Sequence, residues 1–132
     1  MTLTVNLESR QHYLRATVSG TYSLRQAQDV FDEAVRAALA AGQTRILIDA
    51  SGVTGAPTQD ERYILGLFVA AEQRILASKI PPIEVQMAIY GRQPLIDPNR
   101  FGETVAINRG GKVKVSEQLG EALAWLGVAA SC

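Results

Sequence analysis

The residues of this sequence that could do chemistry gather in two stretches. Asp49, Ser51, Thr54, Thr58 and Gln59 follow the apolar run Ile46-Leu47-Ile48, and Tyr90 and Arg92 follow the alternating Val85, Met87 and Ile89. Carboxylate, hydroxyl, amide, phenol and guanidinium groups in such places suit hydrogen-bonded recognition of a polar partner. A helix starting after Thr58 would add free N–H groups and the positive end of a dipole, a setting for an anion or a phosphorylated side chain. Each residue also has an ordinary role: Asp49 and Ser51 shape a turn, and Thr58 caps its helix. The patterns of common enzymes are missing, with no G-x-S-x-G elbow, no G-x-x-x-x-G-K-[ST] phosphate loop and no G-x-G-x-x-G. The one histidine, His12, lies in a short polar link, where a surface role is expected and a Ser-His-Asp arrangement would have no other histidine to use. Asp60 and Glu61 form an acidic pair, but in a first helical turn carboxylates complement the dipole. With one His and one Cys, a zinc site built from those side chains is nearly excluded, and neither a metal site nor a cofactor is expected. An enzyme would have to use Asp49 and Thr58 as polar groups in a loop-lined cleft.

The elements that must position these residues follow from periodicity. Thr2 to Glu8, with Leu3, Val5 and Leu7 on one face, and Tyr13 to Ser19, with Leu14, Ala16 and Val18 on one face, form an antiparallel hairpin. Ser23 and Gln26 form a capping box for a first helix, which carries Leu24, Ala27, Phe31, Ala34, Val35 and Ala38 and stops at Gly42. Arg45 to Asp49 is a strand buried on both faces, followed by a loop from Ala50 to Pro57. Thr58 and Glu61 form a second capping box, opening a helix to about Ser78 that Pro81-Pro82 seals. A strand through Val85, Met87 and Ile89 ends at Tyr90-Gly91. Asp97 as N-cap and Pro98 at the first helical position start a third helix, closed by Gly110-Gly111. Lys112 to Val115 is a short last strand, and Ser116 caps a terminal helix facing the sheet with Leu119, Ala122, Leu123 and Leu126. The order β-β-α-β-α-β-α-β-α predicts an α/β fold: a five-stranded mixed sheet, an antiparallel hairpin followed by parallel strands, with four helices and right-handed crossovers. Ligands of open α/β sheets bind outside the carboxyl ends of strands, where strand order reverses, which selects the loops Asp49 to Gln59 and Tyr90 to Asp97.

The helix beginning after Thr58 carries two apolar stripes. Ile64, Leu67, Phe68, Ala71 and Ile75 make the one expected to pack on the sheet; Leu65, Val69 and Leu76 lie about 100° round. One sheet cannot cover both. The second stripe must meet a neighbouring helix, a ligand, a partner or a second copy of the chain.

Composition bounds the rest. At 132 residues a chain can bury roughly two-thirds of its unfolded surface, so one domain spanning 1–132 needs no disulfide or metal. The lone Cys132 can form no internal disulfide, which suits a reducing compartment. Thirteen Lys+Arg against 13 Asp+Glu disfavour a nucleic-acid or anionic-membrane surface, since both need clustered cations. No segment is apolar for the roughly 18 residues that a membrane span needs, and neither end carries a targeting pattern, so a cytoplasmic address is expected.

With these residues in hand, the chain resembles the STAS group, the fold of anti-sigma-factor antagonists, itself related to CRAL-TRIO lipid-transfer domains. Ile46-Leu47-Ile48-Asp49-Ala50-Ser51-Gly52-Val53 is similar to the family's strand-ending Asp-x-Ser-x-Val. Val115 through Glu121-Ala122-Leu123-Ala124-Trp125-Leu126 resembles the end of small stand-alone bacterial members. Antagonists of that type carry Asp-Ser-Ser-Gly at the start of the following helix, with the second Ser phosphorylated by a partner kinase. Here that stretch is Pro57-Thr58-Gln59-Asp60, so Gln59 takes the acceptor position and Thr58 bears the only hydroxyl that phosphorylation could use. The resemblance implies a non-enzymatic regulatory or binding domain acting on a protein partner or on itself as a homodimer, through the Asp49 to Gln59 loop and the next helix. The alternative is a binder of a small apolar ligand or lipid, of the CRAL-TRIO-related type.

Overall fold

The computed structural model describes residues 3–128; Thr2 and Cys132 lie outside them. The elements follow the predicted order: β1 (Thr4–Ser9), β2 (Leu14–Thr21), α1 (Leu24–Ala40), β3 (Arg45–Thr54), α2 (Gln59–Ala77), β4 (Gln86–Tyr90), α3 (Phe101–Asn108), β5 (Val113–Ser116) and α4 (Leu119–Leu126). The sheet order is β1-β2-β3-β4-β5, with β1 antiparallel to β2 and every later pair parallel. Strand order never reverses. The crevice expected at a reversal therefore does not exist, and three crossovers stepping the same way across the sheet share one hand.

Alternation along the strands divides the core in two. Leu14, Ala16, Val18, Ile46, Ile48 and Met87 face α1, α2 and α3, while Tyr13, Leu47 and Ala88 meet Ala122, Leu123 and Leu126 of α4 on the other face. The Ile46-Leu47-Ile48 run is buried on both sides because two layers of helix meet there. Among the described residues no helix covers the second face under β1 and β2, and that face is polar: Thr4, Asn6, Glu8 and Ser19 are exposed.

Several local expectations change. β3 does not stop at Asp49, because β2 continues to Thr21 and supplies partners for Gly52, Val53 and Thr54 across a register shift. Gly52 suits that approach, since an added Cβ would lie 3.2 Å from the Ser19 Cβ. Only the first half of the Ser23 box forms: Ser23 accepts the Gln26 N–H, but the Gln26 side chain accepts from the Leu3 backbone at 2.7 Å and so ties α1 to β1. Both halves of the Thr58–Glu61 box are present. Asp97 and Pro98 form a turn rather than the first helical residues. Arg100, at φ 54°, is the N-cap of α3, while the Asp97 carboxylate accepts from Asn99 N and Phe101 N. Ser116 ends β5 and accepts the N–H of Gln118, which is the N-cap of α4.

The stripes of α2 divide otherwise than expected, with Phe68 of the first stripe kept on the core and Ile64 and Ile75 turned out of it. Val69 is 4 % exposed and Leu65, Phe68 and Leu76 pack on the core, whereas Ile64 is 39 % and Ile75 61 % exposed. Val69 is thus covered within the chain, and Leu65 and Leu76 are partly buried against the core rather than standing on an outer face. The cause is the crossing of α2 with α3. A Cβ at Gly66 would lie 2.7 Å from the Gly102 carbonyl oxygen and 2.9 Å from the Val105 Cβ, so the helices meet at this glycine and set the rotation of α2.

Candidate functional site

The structure brings Asp49, Ser51 and Tyr90 together on adjacent strands, while Thr54, Thr58, Gln59 and Arg92 do not join them in one site. Asp49 shares the sheet face of Leu47, turned away from α1–α3, and its carboxylate is fully engaged. Arg15 donates to Oδ2 at 2.6 Å, and the Ser51 hydroxyl and amide donate to Oδ1 at 2.7 and 3.1 Å. Burial opposes ionisation there, but the Ser51 hydrogen bonds and the Arg15 guanidinium outweigh it and hold the carboxyl below the usual aspartate range. This group links β2 to β3. Tyr90 packs with the α4-side cluster. Thr54 donates to the Gly20 carbonyl at 3.2 Å, Thr58 caps α2, and Gln59 and Arg92 stand exposed. His12 is exposed in the hairpin link. Among the described residues no group of three His, Cys, Asp or Glu side chains is placed to hold a metal ion, and no helix is long and apolar enough to cross a membrane.

The two selected loops do border a cavity, through other residues. A partly open apolar space of about 140 Å³ lies between the sheet and α1–α3. Val18, Ile48 and Ile89 form its floor, Val30 and Phe31 of α1 one wall, and Leu65 and Val69 of α2 the roof. Pro57 comes from the first loop, and Leu95 and Ile96 from the second. The backbones of α1, α3 and α4 come within 8 Å of strand residues, while among the described residues that of α2 does not, which leaves the space beneath it.

Four charged side chains line this space, and all have partners. Arg62 donates to the Leu95 and Pro94 carbonyls at 2.8 and 3.0 Å, tying α2 to the β4–α3 loop. Arg100 donates to the Val115 and Asp97 carbonyls, Glu103 accepts the Val115 N–H, and Asp97 accepts Asn99 N and Phe101 N. The outward edge of β5 at Val115 is thereby covered by side chains of the α3 region. Tyr22 differs. Its hydroxyl is buried without a hydrogen-bond partner of good geometry, and burial together with the nearby Glu61 carboxylate pushes its pKa up. Sequence reasoning missed Tyr22, Arg62 and Arg100, for they stand in a turn, on a helix flank and in a loop with no motif about them. The one available signal was Tyr22, an aromatic between Gly20 and a helix cap.

No protein-family model matches the chain, and no curated protein matches it. Solved structures do. The fold is STAS-like, of the SpoIIAA type. The chain is similar to an anti-sigma factor antagonist from Mycobacterium paratuberculosis at 17% identity and TM-score 0.60, covering 96% of this chain and 95% of the other. It is also similar to a DUF3478-family protein with a SpoIIAA-like fold from Shewanella loihica PV-4, at 22% identity and TM-score 0.50, covering 95% and 93%.

Proposed function

We propose that this chain is a non-enzymatic regulatory domain that acts by binding a protein partner or a second copy of itself. The observation that carries this reading is the outer face of α2, where Tyr63, Ile64 and Ile75 stand exposed on a helix whose opposite stripe already fills the core. An apolar stripe left over after folding is a contact surface in search of cover. The fold likeness to an anti-sigma factor antagonist, a protein named for its action on another protein, supports the same role. At the start of the helix, Thr58 and Gln59 are exposed beside this stripe, so the loop and the helix form one surface, with Thr58 its modifiable hydroxyl. A phosphate there would gain from the helix dipole but would displace the Thr58 cap.

The test is a double substitution, Ile64→Asp with Ile75→Asp, read by light scattering of the purified chain and by affinity capture from extracts of its source organism. The expected outcome is loss of self-association or of a captured protein, with an unchanged circular dichroism spectrum. Wild-type protein that stays monomeric and captures nothing, or a variant that behaves as wild type, refutes the reading.

A further inference from the structure

We infer that the free edge of β1 pairs with β1 of a second copy, antiparallel and centred on Asn6, so that the two five-stranded sheets join across a two-fold axis. The direction of the backbone groups follows from the hairpin. Arg10 N–H donates to the Tyr13 carbonyl at 2.8 Å, and the register runs unbroken from Ser9 opposite Leu14 to Thr4 opposite Ser19. In an antiparallel ladder hydrogen-bonded and open pairs alternate, so Thr4, Asn6 and Glu8 turn their N–H and carbonyl groups to β2, while Val5, Leu7 and Ser9 turn theirs away. Leu3 fits the same alternation, its outward N–H donating to the Gln26 side chain at 2.7 Å. Among the described residues nothing comparable engages the backbone of Val5 or Leu7.

The two edges of the sheet are treated differently. At β5 the Val115 N–H and carbonyl are taken by Glu103 and Arg100. The β1 strand, Thr-Val-Asn-Leu-Glu-Ser, carries no proline, lysine or bulge, the devices that keep an exposed edge from pairing, and such an edge accepts an added strand. Its own sequence suits a copy of itself. Centred on Asn6, the pairing sets Val5 opposite Leu7 of the second copy, and Leu7 opposite its Val5, which adds cover to two half-buried apolar side chains on the α1 face. On the other face Asn6 meets Asn6 and Glu8 meets Thr4, so no like charges are opposed. Centring on Glu8 would set two carboxylates against each other, and centring on Leu7 would leave each Val5 opposite a serine. The helices leave room. Since α1 lies over β1, β2 and β3, the two α1 helices would stand on the same side of the joined sheet, three strand spacings or about 14 Å apart, beyond the roughly 8–10 Å of helices in contact.

Sedimentation velocity of the full chain at up to about 1 mM, the range of weak association, should show a monomer–dimer equilibrium. Amide exchange should slow with protein concentration at Val5 and Leu7 but not at Asn6, whose N–H already belongs to the β1–β2 ladder. Val5→Pro removes one outward donor from each copy at an edge position that tolerates proline, and should weaken the dimer at least tenfold with an unchanged circular dichroism spectrum. A cross-linking pair decides the matter even if that variant fails to fold. In Cys132→Ser protein, the paired Cα atoms at position 6 would lie about 4.5 Å apart, within disulfide reach, and those at position 4 about 14 Å apart. Asn6→Cys should therefore cross-link at least tenfold faster than Thr4→Cys. A wild-type chain that stays monomeric throughout overturns the inference, even if a foreign peptide is found along β1. Equal cross-linking rates, or a folded Val5→Pro that dimerises like wild type, overturn it as well. None of these variants alters α2, and Ile64→Asp with Ile75→Asp should leave the β1 dimer intact, so the two surfaces stand or fail separately.

Discussion

At the scale of single residues, two buried or half-buried carboxylates in opposite electrostatic situations contribute opposite pH dependences. Asp49 is held ionised by Ser51 and Arg15 against the cost of burial. Its contribution to stability is present above the ordinary aspartate range and is lost as pH falls through the lower folded value. Asp49→Ala leaves Arg15 without its carboxylate partner, with only Tyr13 beside it, and should lower the unfolding free energy by about 2–4 kcal/mol in urea titrations. Glu72 is the reverse case. Burial, then a hydrogen bond to Asp32 and the charge of that residue, push its pKa up to about 7, with Arg36, paired to Asp32, opposing the shift. The folded state holds the Glu72 proton more tightly than the unfolded chain, so stability is full below about pH 4.5 and is lost as pH rises through about 7. Glu72→Gln should therefore stabilise the protein at pH 8 by about 1 kcal/mol, a figure reduced for solvent screening of a half-buried group, and change little at pH 5. Thermal melts of both proteins at the two pH values check it, and an equal gain at both would rule out the ionisation of Glu72 as the cause.

At the scale of elements, α2 decides most of what is distinctive. Its inner stripe, its distance from the sheet and its exposed stripe all follow from one crossing with α3 at Gly66. Gly66→Ala would gain up to about 1 kcal/mol in helix propensity. The added Cβ, however, meets a backbone oxygen and a β-branched side chain, and such overpacking costs about 1–3 kcal/mol. The clash wins, and we expect a net loss of about 1–2 kcal/mol in denaturant titrations; a gain would show that α3 yields easily. Periodicity revealed that α2 had two apolar stripes and that one sheet could cover only one. It placed Phe68 on the core side but put Ile64 and Ile75 there as well, because both stripes have helical spacing and the choice rests on a glycine contact between residues 36 positions apart in the chain, which no local pattern encodes. The caps show the same division. Thr58 and Glu61 satisfy each other and were legible; Gln26 was drawn off by the Leu3 backbone, a partner from another element.

At the scale of the whole molecule, the sheet separates two regions that looked like one in the sequence. Asp49, within β3, and Tyr90, at the end of β4, lie on the α4 side, while the apolar residues of the neighbouring loops close a cavity on the other. On the proposed reading the exposed residues of α2 meet the partner, and the Ile64→Asp with Ile75→Asp substitution should remove association through that face while leaving the fold intact. Placing Asp at Val69 instead should unfold the chain, since a charge there would be buried without a partner. By itself the sequence determined the element order, the mixed sheet and its doubly buried central strand, because these rest on alternation, helical spacing and turn residues a few positions apart. It also located the two loops beside the cavity. Only the tertiary structure decided which residues of α2 face the core, that β2 extends β3 past Asp49, and that Tyr22 is buried beside Glu61. Those outcomes depend on which distant backbone comes near, and close packing settles them all at once when the helices meet the sheet.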